Sequence, residues 1–220
     1  MSRGRRVDVE VERWIKSRVR AATATTATTT TTATTRGSII APFSTRAFVA
    51  ASSAASAAAS AAGATNARAR VGSVDGSVVD PTHPLARAFV ALTHRLRLVP
   101  VGAQVVVRDE QCDLATLVDG VFVNERGRVV LVELKCGFEG YNDTSNGRMR
   151  HPFRAFTNAP KNQHQIQLAF TRCMFERTFP EFGRVDARIV RMTERGAHVT
   201  TIDDDLDATA RRVFAAGRRV

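Results

Sequence analysis

The stretch from Leu117 to Cys136, LVDGVFVNERGRVVLVELKC, constrains this chain more than any other. Two runs rich in Val, Leu and Phe flank Glu125-Arg126-Gly127, and a three-residue loop with glycine in its last, left-handed position is a favoured hairpin connection. With Asn124 opposite Arg128, the pairing carries back through Val123 with Val129 and Val121 with Leu131 to Asp119 with Glu133. Side chains alternate along a strand, so Glu133 and Lys135 share a face with Asp119 while Val130, Val132 and Leu134 turn to a core. Facing carboxylates repel, and a hard divalent cation with oxygen ligands relieves the repulsion. A surface hairpin whose Glu133 is simply neutralised by Lys135 fits the same residues.

The elements around the hairpin follow from periodicity. Pro81-Thr82-His83-Pro84 signals a helix start, Leu85, Phe89, Leu92 and Leu96 follow at helical spacing, and Pro100 is expected to close the element. Gln104 to Arg108 reads as a strand, Asp109 to Gln111 as a turn, and Cys112 to Val123 and Val129 to Cys136 as the strands of the hairpin. Lys161 to Arg177 has an apolar stripe of Ile166, Ala169, Phe170, Cys173 and Met174, with Gln163 and Gln167 one turn apart at its edge. From that edge a glutamine can reach a polar site on the sheet. Arg184 to Met192 and Ala197 to Ile202 form a second hairpin through Glu194-Arg195-Gly196, and Asp203 to Ala216 closes as a helix with an acidic first turn.

Between the central hairpin and the Gln167 helix runs Gly137 to Pro160, longer than the ~12 to 15 residues usual for a loop in a compact domain. It carries Arg148, Arg150 and Arg154 interleaved with Tyr141, Phe153 and Phe156. Guanidinium groups beside rings suit a strand of nucleic acid, through phosphate contacts and base stacking. Equally, Phe153 and Phe156 can anchor a core and leave the arginines solvated.

Charge points the same way. Lys+Arg 32 against Asp+Glu 21 gives a formal net charge of +11, which favours polyanionic partners. From Ala21 to about Gly72 the chain is dominated by Ala, Thr and Ser, and no acidic residue occurs between Glu12 and Asp75. That is the composition of a mitochondrial or plastid transit peptide, although Asp8, Glu10 and Glu12 run against it, and a disordered tail drawn to polyanions has the same look. Folded sequence is therefore expected to begin near Asp80, with residues 1–79 a low-complexity region outside the core and at most a short helix before Arg20. Cys112, Cys136 and Cys173 have neither CxxC nor zinc spacing, which suggests reduced packing thiols. No apolar run approaches the roughly 18 residues of a membrane span.

The order helix, strand, strand with Asp119, strand with Glu133-Leu134-Lys135, long loop, helix with Gln167, strands and helix resembles the PD-(D/E)XK nuclease superfamily. Within it, the RecB-like and lambda-exonuclease-like branch, which includes mitochondrial genome maintenance exonucleases, is the most similar. The resemblance covers roughly Pro81 to Ile202 and rests on VDGVF, VELK and HQIQLAF. Val118 stands where the namesake proline would be and Thr171 where the branch usually has a tyrosine. The resemblance implies an α/β restriction-endonuclease-like core, a central mixed sheet flanked by helices, in residues 80–220. It also implies Mg²⁺- or Mn²⁺-dependent hydrolysis of phosphodiester bonds, with DNA, single-stranded or with free ends, as the substrate. Asp119 and Glu133 would hold the metal with the carbonyl of Leu134. Lys135 would orient water or stabilise the transition state, and Gln167 would position water or phosphate. A non-catalytic nucleic-acid-binding module with the same fold is the alternative.

Overall fold

A computed structural model describes residues 3–27, 79–137, 140–144 and 146–217. Its first element corrects the expected boundary. Helix α1 (Arg3–Ala27) turns Val7, Val11, Trp14 and Ile15 inward, none more than 1% exposed. They pack against Leu85, Ala86, Phe89 and Leu92 of α2 (Pro84–Arg95) and against Phe122, Val130 and Val132 on the sheet. Trp14 meets Phe89 edge-on, with ring centroids 6.2 Å apart. Glu10 ties the two helices together: its carboxylate accepts from the His83 amide at 2.6 Å and the Thr82 hydroxyl at 3.1 Å, and the first of these bonds lowers its pKa. The folded unit thus includes α1 and does not start at Asp80. The Ala/Thr/Ser-rich stretch from residue 28 to 78, on which the transit-peptide expectation rests, lies outside the described residues.

Five strands follow: β1 (Val99–Asp109), β2 (Leu114–Val123), β3 (Val129–Cys136), β4 (Asp186–Thr193) and β5 (Gly196–Thr201). They lie in the order β1-β2-β3-β4-β5, antiparallel except for β3 with β4. The parallel pair needs a crossover, and α3 (Pro160–Thr178) provides it. Helix α4 (Asp204–Ala216) starts at Asp203, whose carboxylate accepts from the amides of Asp205 and Leu206. The result is an α/β sandwich with a mixed sheet between helices. Val105, Leu131, Leu168, Phe175, Ile189 and Leu206 fill the layer under α3 and α4, while α1 and α2 cover the opposite face.

Two expectations shift locally. Pro100 does not close α2 but lies inside β1, an edge strand, where its missing N–H is tolerated. The buried face of α3 is made by Leu168, Ala169, Cys173, Met174 and Phe175 with Gln165, and Ile166 and Phe170 are only partly covered. Gln165 can be buried because its Oε1 accepts from the Asp203 amide at 2.6 Å. Ion pairs fix α3 in place at its far end: Arg177 with buried Asp109 at 2.7 Å, Arg211 with Glu176 at 2.7 Å, and Arg172 with Asp207. All three cysteines are free thiols. No helix among the described residues is long and apolar enough to cross a membrane.

Candidate active site

The central hairpin forms with the register read from its loop. Gly127 has φ 72°, the Asn124 amide donates to Arg128, and Val123 pairs with Val129 and Val121 with Leu131. The ladder ends one pair earlier than expected, at Gly120 with Val132, so Asp119 and Glu133 are not a cross-strand pair. A kink explains the difference. Gln104, at φ 51°, and Asp119 drop out of the β1–β2 ladder together, although the pairs on either side, Ala103 with Gly120 and Val105 with Val118, keep one register. A left-handed conformation at a glutamine is strained backbone, of the kind that clusters at functional sites.

The kink gives Asp119 new partners. Its Oδ1 accepts from Gln104 Nε2 at 3.1 Å, and its Oδ2 accepts from the Leu134 amide at 2.8 Å. The carboxylate therefore takes the place of the missing ladder bond at the end of β3. The next residue, Gly120, leaves room for the core on the α1 side: a Cβ there would meet Phe122 Cε2 at 2.6 Å and Ile15 Cδ1 at 3.3 Å.

Glu133 and Lys135 lie, as alternation requires, on the α3 side of β3. Lys135 Nζ donates to Glu133 Oε1 at 2.7 Å, and Gln167 Nε2 from α3 donates to the same oxygen at 3.1 Å. Gln167 Oε1 lies 3.5 Å from Lys135 Nζ, so the glutamine bridges the carboxylate and the ammonium. Four residues named from the sequence, Asp119, Glu133, Lys135 and Gln167, thus meet at one end of β3. Gln163 goes elsewhere, donating to Asn158 at 2.9 Å.

The electrostatics of Glu133 bear on what the site can hold. The residue is 5% exposed, and burial first, then the charge of Asp119, push its pKa up; the bonds from Lys135 and Gln167 only partly offset this. The Lys135 ammonium thus offsets only part of what burial and Asp119 do to Glu133. Two oxygen-bearing carboxylates under mutual repulsion fit a hard divalent cation in chemistry. Among the described residues no three His, Cys, Asp or Glu side chains gather as a metal-holding group. That donor count suits Mg²⁺, which commonly uses one or two carboxylates and completes its shell with water and substrate phosphate.

Asp8 on α1 is a carboxylate that sequence reasoning passed over. Its Oδ1 lies 3.7 Å from Cys136 Sγ at the end of β3, and its pKa is raised by partial burial and then by Asp119. Burial and the Asp8 charge push the Cys136 thiol up to about 12, so it stays protonated and able to donate. A signal was present: Val7, Val11, Trp14 and Ile15 make a helical stripe, and Asp8 lies beside it.

The loop arginines divide. Arg148 and Arg150, both exposed, line an open cleft of about 470 Å³ with Met149, Asn158, Gln163 and Ile166, one helical turn from Gln167. Arg154 is exposed outside that lining. Phe153 and Phe156 pack on the core under α3, Phe153 edge-on to Phe170 at 6.2 Å, and Tyr141 is buried, so these rings anchor the loop instead of offering faces to bases. No protein-family model matches the chain, and no curated protein matches it.

Proposed function

We propose that this chain is a Mg²⁺- or Mn²⁺-dependent nuclease of the PD-(D/E)XK type, built on a restriction-endonuclease-like core and acting as a RecB-like exonuclease on DNA, single-stranded or with free ends, in DNA maintenance or repair. The observation that carries it is the hydrogen-bonded trio Glu133, Lys135 and Gln167 with Asp119, held on the Leu134 amide, close enough for its charge to act on Glu133, all at one end of β3. Asp119 and Glu133, with the main chain of Leu134, would hold the cation. When bound, it would supply positive charge beside the attacked phosphate.

The rest is the work of the chain itself. Gln104 and the Leu134 amide fix both oxygens of Asp119, leaving each a further lone pair. Gln167 and Glu133 restrain the Lys135 ammonium, whose side chain is 15% exposed. A preorganised ammonium there orients the attacking water or offsets charge that grows on the phosphate oxygens. Arg148 and Arg150 guide the strand into the site through its phosphates, with Arg154 further out. An organelle address is proposed only in a form that leaves α1 in the mature chain, since a leader cleaved after Ala27 would remove Trp14 and its buried neighbours.

The alternative is a non-catalytic nucleic-acid-binding module with the same fold. Calorimetric Mn²⁺ titration beside a cleavage assay separates the two. Asp119→Asn and Glu133→Gln should weaken metal binding and abolish cleavage, while DNA binding persists. Lys135→Ala should still bind Mn²⁺ yet cleave ~10² to 10³ slower, the usual loss for one preorganised electrostatic group. No Mn²⁺ binding by the unaltered chain, with DNA binding intact, would establish the module.

A further inference from the structure

Lys135 has a cationic neighbour on the next strand. In the parallel pairing of β3 with β4, Lys135 stands beside Arg191, and Arg191 in turn pairs with His198 of β5. Ala187 and Ile189 belong to the layer under α3, so alternation puts Arg191 on that side too, the side of Glu133 and Lys135. Adjacent strands are ~4.8 Å apart, which makes Lys135 and Arg191 close like charges on one face; Glu133 offsets the first at 2.7 Å and leaves the second to be matched.

Arg191 is also held in place. Its guanidinium lies over the Tyr141 ring, 4.7 Å from the centroid. Tyr141 is 5% exposed, its carbonyl accepts from the Lys161 amide at 3.0 Å, and its ring lies 5.7 Å from that of His164. The long loop is thereby pinned to the first turns of α3, and the pinned ring presents a guanidinium beside Lys135. None of the ion pairs among the described residues uses Arg191. A half-buried, ring-clamped guanidinium with no carboxylate in ion-pair range among the described residues is suited to the oxygens of a phosphate, which it can bind as a planar fork.

We propose that Arg191, clamped on Tyr141, binds the phosphate next to the scissile one, so that the substrate backbone crosses the sheet from β3 toward β5. This rests on the nuclease reading of the Asp119 and Glu133 site and adds the direction in which the strand runs. Arg191 binds the ground state and the transition state alike, since it lies one strand beyond Lys135; its removal therefore acts on KM more than on kcat.

The test uses the full chain with Arg191→Met, which keeps an aliphatic stem on the Tyr141 ring and removes the charge. On labelled single-stranded DNA with Mg²⁺, KM should rise on the order of tenfold, the scale of one charge-assisted hydrogen bond, with kcat within about threefold of the unaltered chain. Without divalent cation, the slope of log affinity against log salt should become shallower by about 0.7, one phosphate contact on a single strand. Tyr141→Leu leaves every charge in place and should raise KM at an unchanged salt slope. Unaltered KM and slope in Arg191→Met, or unaltered KM in Tyr141→Leu should the first variant not fold, would overturn the assignment. A chain that cuts DNA while Arg191→Met behaves as unaltered refutes this inference alone; a chain that cuts nothing with Mg²⁺ or Mn²⁺ refutes the nuclease reading beneath it.

Discussion

Replacing Trp14 by alanine tests whether the N-terminal helix is part of the fold. Trp14 is 1% exposed, wedged between Phe89 at 6.2 Å and the guanidinium of Arg18 at 5.9 Å from its ring. Trp→Ala in a closed core typically costs ~3 to 5 kcal/mol, a large share of the ~5 to 15 kcal/mol that hold a domain folded. At a urea slope of ~2 kcal/mol per M, the unfolding midpoint should fall by about 1.5 to 2.5 M. The chain's single tryptophan is the residue replaced, so the transition must be followed by far-ultraviolet circular dichroism and not by fluorescence. Trp14→Phe should lose much less, because the indole N–H has no hydrogen-bond partner among the described residues and its removal relieves a buried donor. Deleting residues 1–27 removes Val7, Val11 and Ile15 as well, up to ~6 to 12 kcal/mol of burial at ~1.5 to 3 kcal/mol for each of the four side chains, and should leave the remainder unfolded. A Trp14→Ala midpoint within ~0.3 M of the unaltered chain would mean that α1 does not dock on the sheet.

Gly120→Ala should destabilise by ~1 to 3 kcal/mol in the same urea titration, because its Cβ would overlap the fully buried Phe122 ring; an unchanged midpoint would mean the ring moves freely. Replacing Arg148, Arg150 and Arg154 together by alanine should weaken DNA binding and make its salt dependence shallower by about 0.7 per lost phosphate contact on a single strand, with an unchanged slope placing them away from the substrate. His164 has its pKa pushed down to about 4, by burial first and then by Lys135. The unfolded imidazole, at ~6.5, takes up its proton first, so this contribution is complete above about pH 6.5 and is lost as the pH falls toward 4. For a ring only partly buried the screened effect is on the order of 1 kcal/mol, and His164→Gln should lose that much less stability than the unaltered chain between pH 7 and 4.5 in paired urea titrations.

The central hairpin was legible because its loop, its alternation and its strand bounds all point to one register, and β3 runs over Val129–Cys136 as read. Glu133, Lys135 and Gln167 meet because a strand face and a helix edge are both periodic signals. The contacts of Asp119 were not legible, since they depend on a left-handed residue, Gln104, that no turn or glycine in the sequence announces. Phe153 and Phe156 could be read as stacking rings or as anchors, and only the packing under α3 decides for anchors. Helix α1 escaped because its valines alternate with Asp8, Glu10 and Glu12 and it runs into a low-complexity stretch, which hid a stripe that tertiary contacts bury. Arg191 was hidden for a similar reason: a single arginine in a strand acquires meaning only when β3 and β4 pair in parallel.

The most direct measurement of the central claim is end-labelled DNA, single-stranded and duplex, incubated with the purified full chain with and without Mg²⁺, beside Glu133→Gln prepared in the same way. The site described here predicts phosphodiester cleavage that requires Mg²⁺ or Mn²⁺, is lost with chelator, and is absent from Glu133→Gln although that variant still binds the DNA. Cleavage that persists in Glu133→Gln, or intact DNA bound by the unaltered chain at every Mg²⁺ and Mn²⁺ concentration, would contradict it.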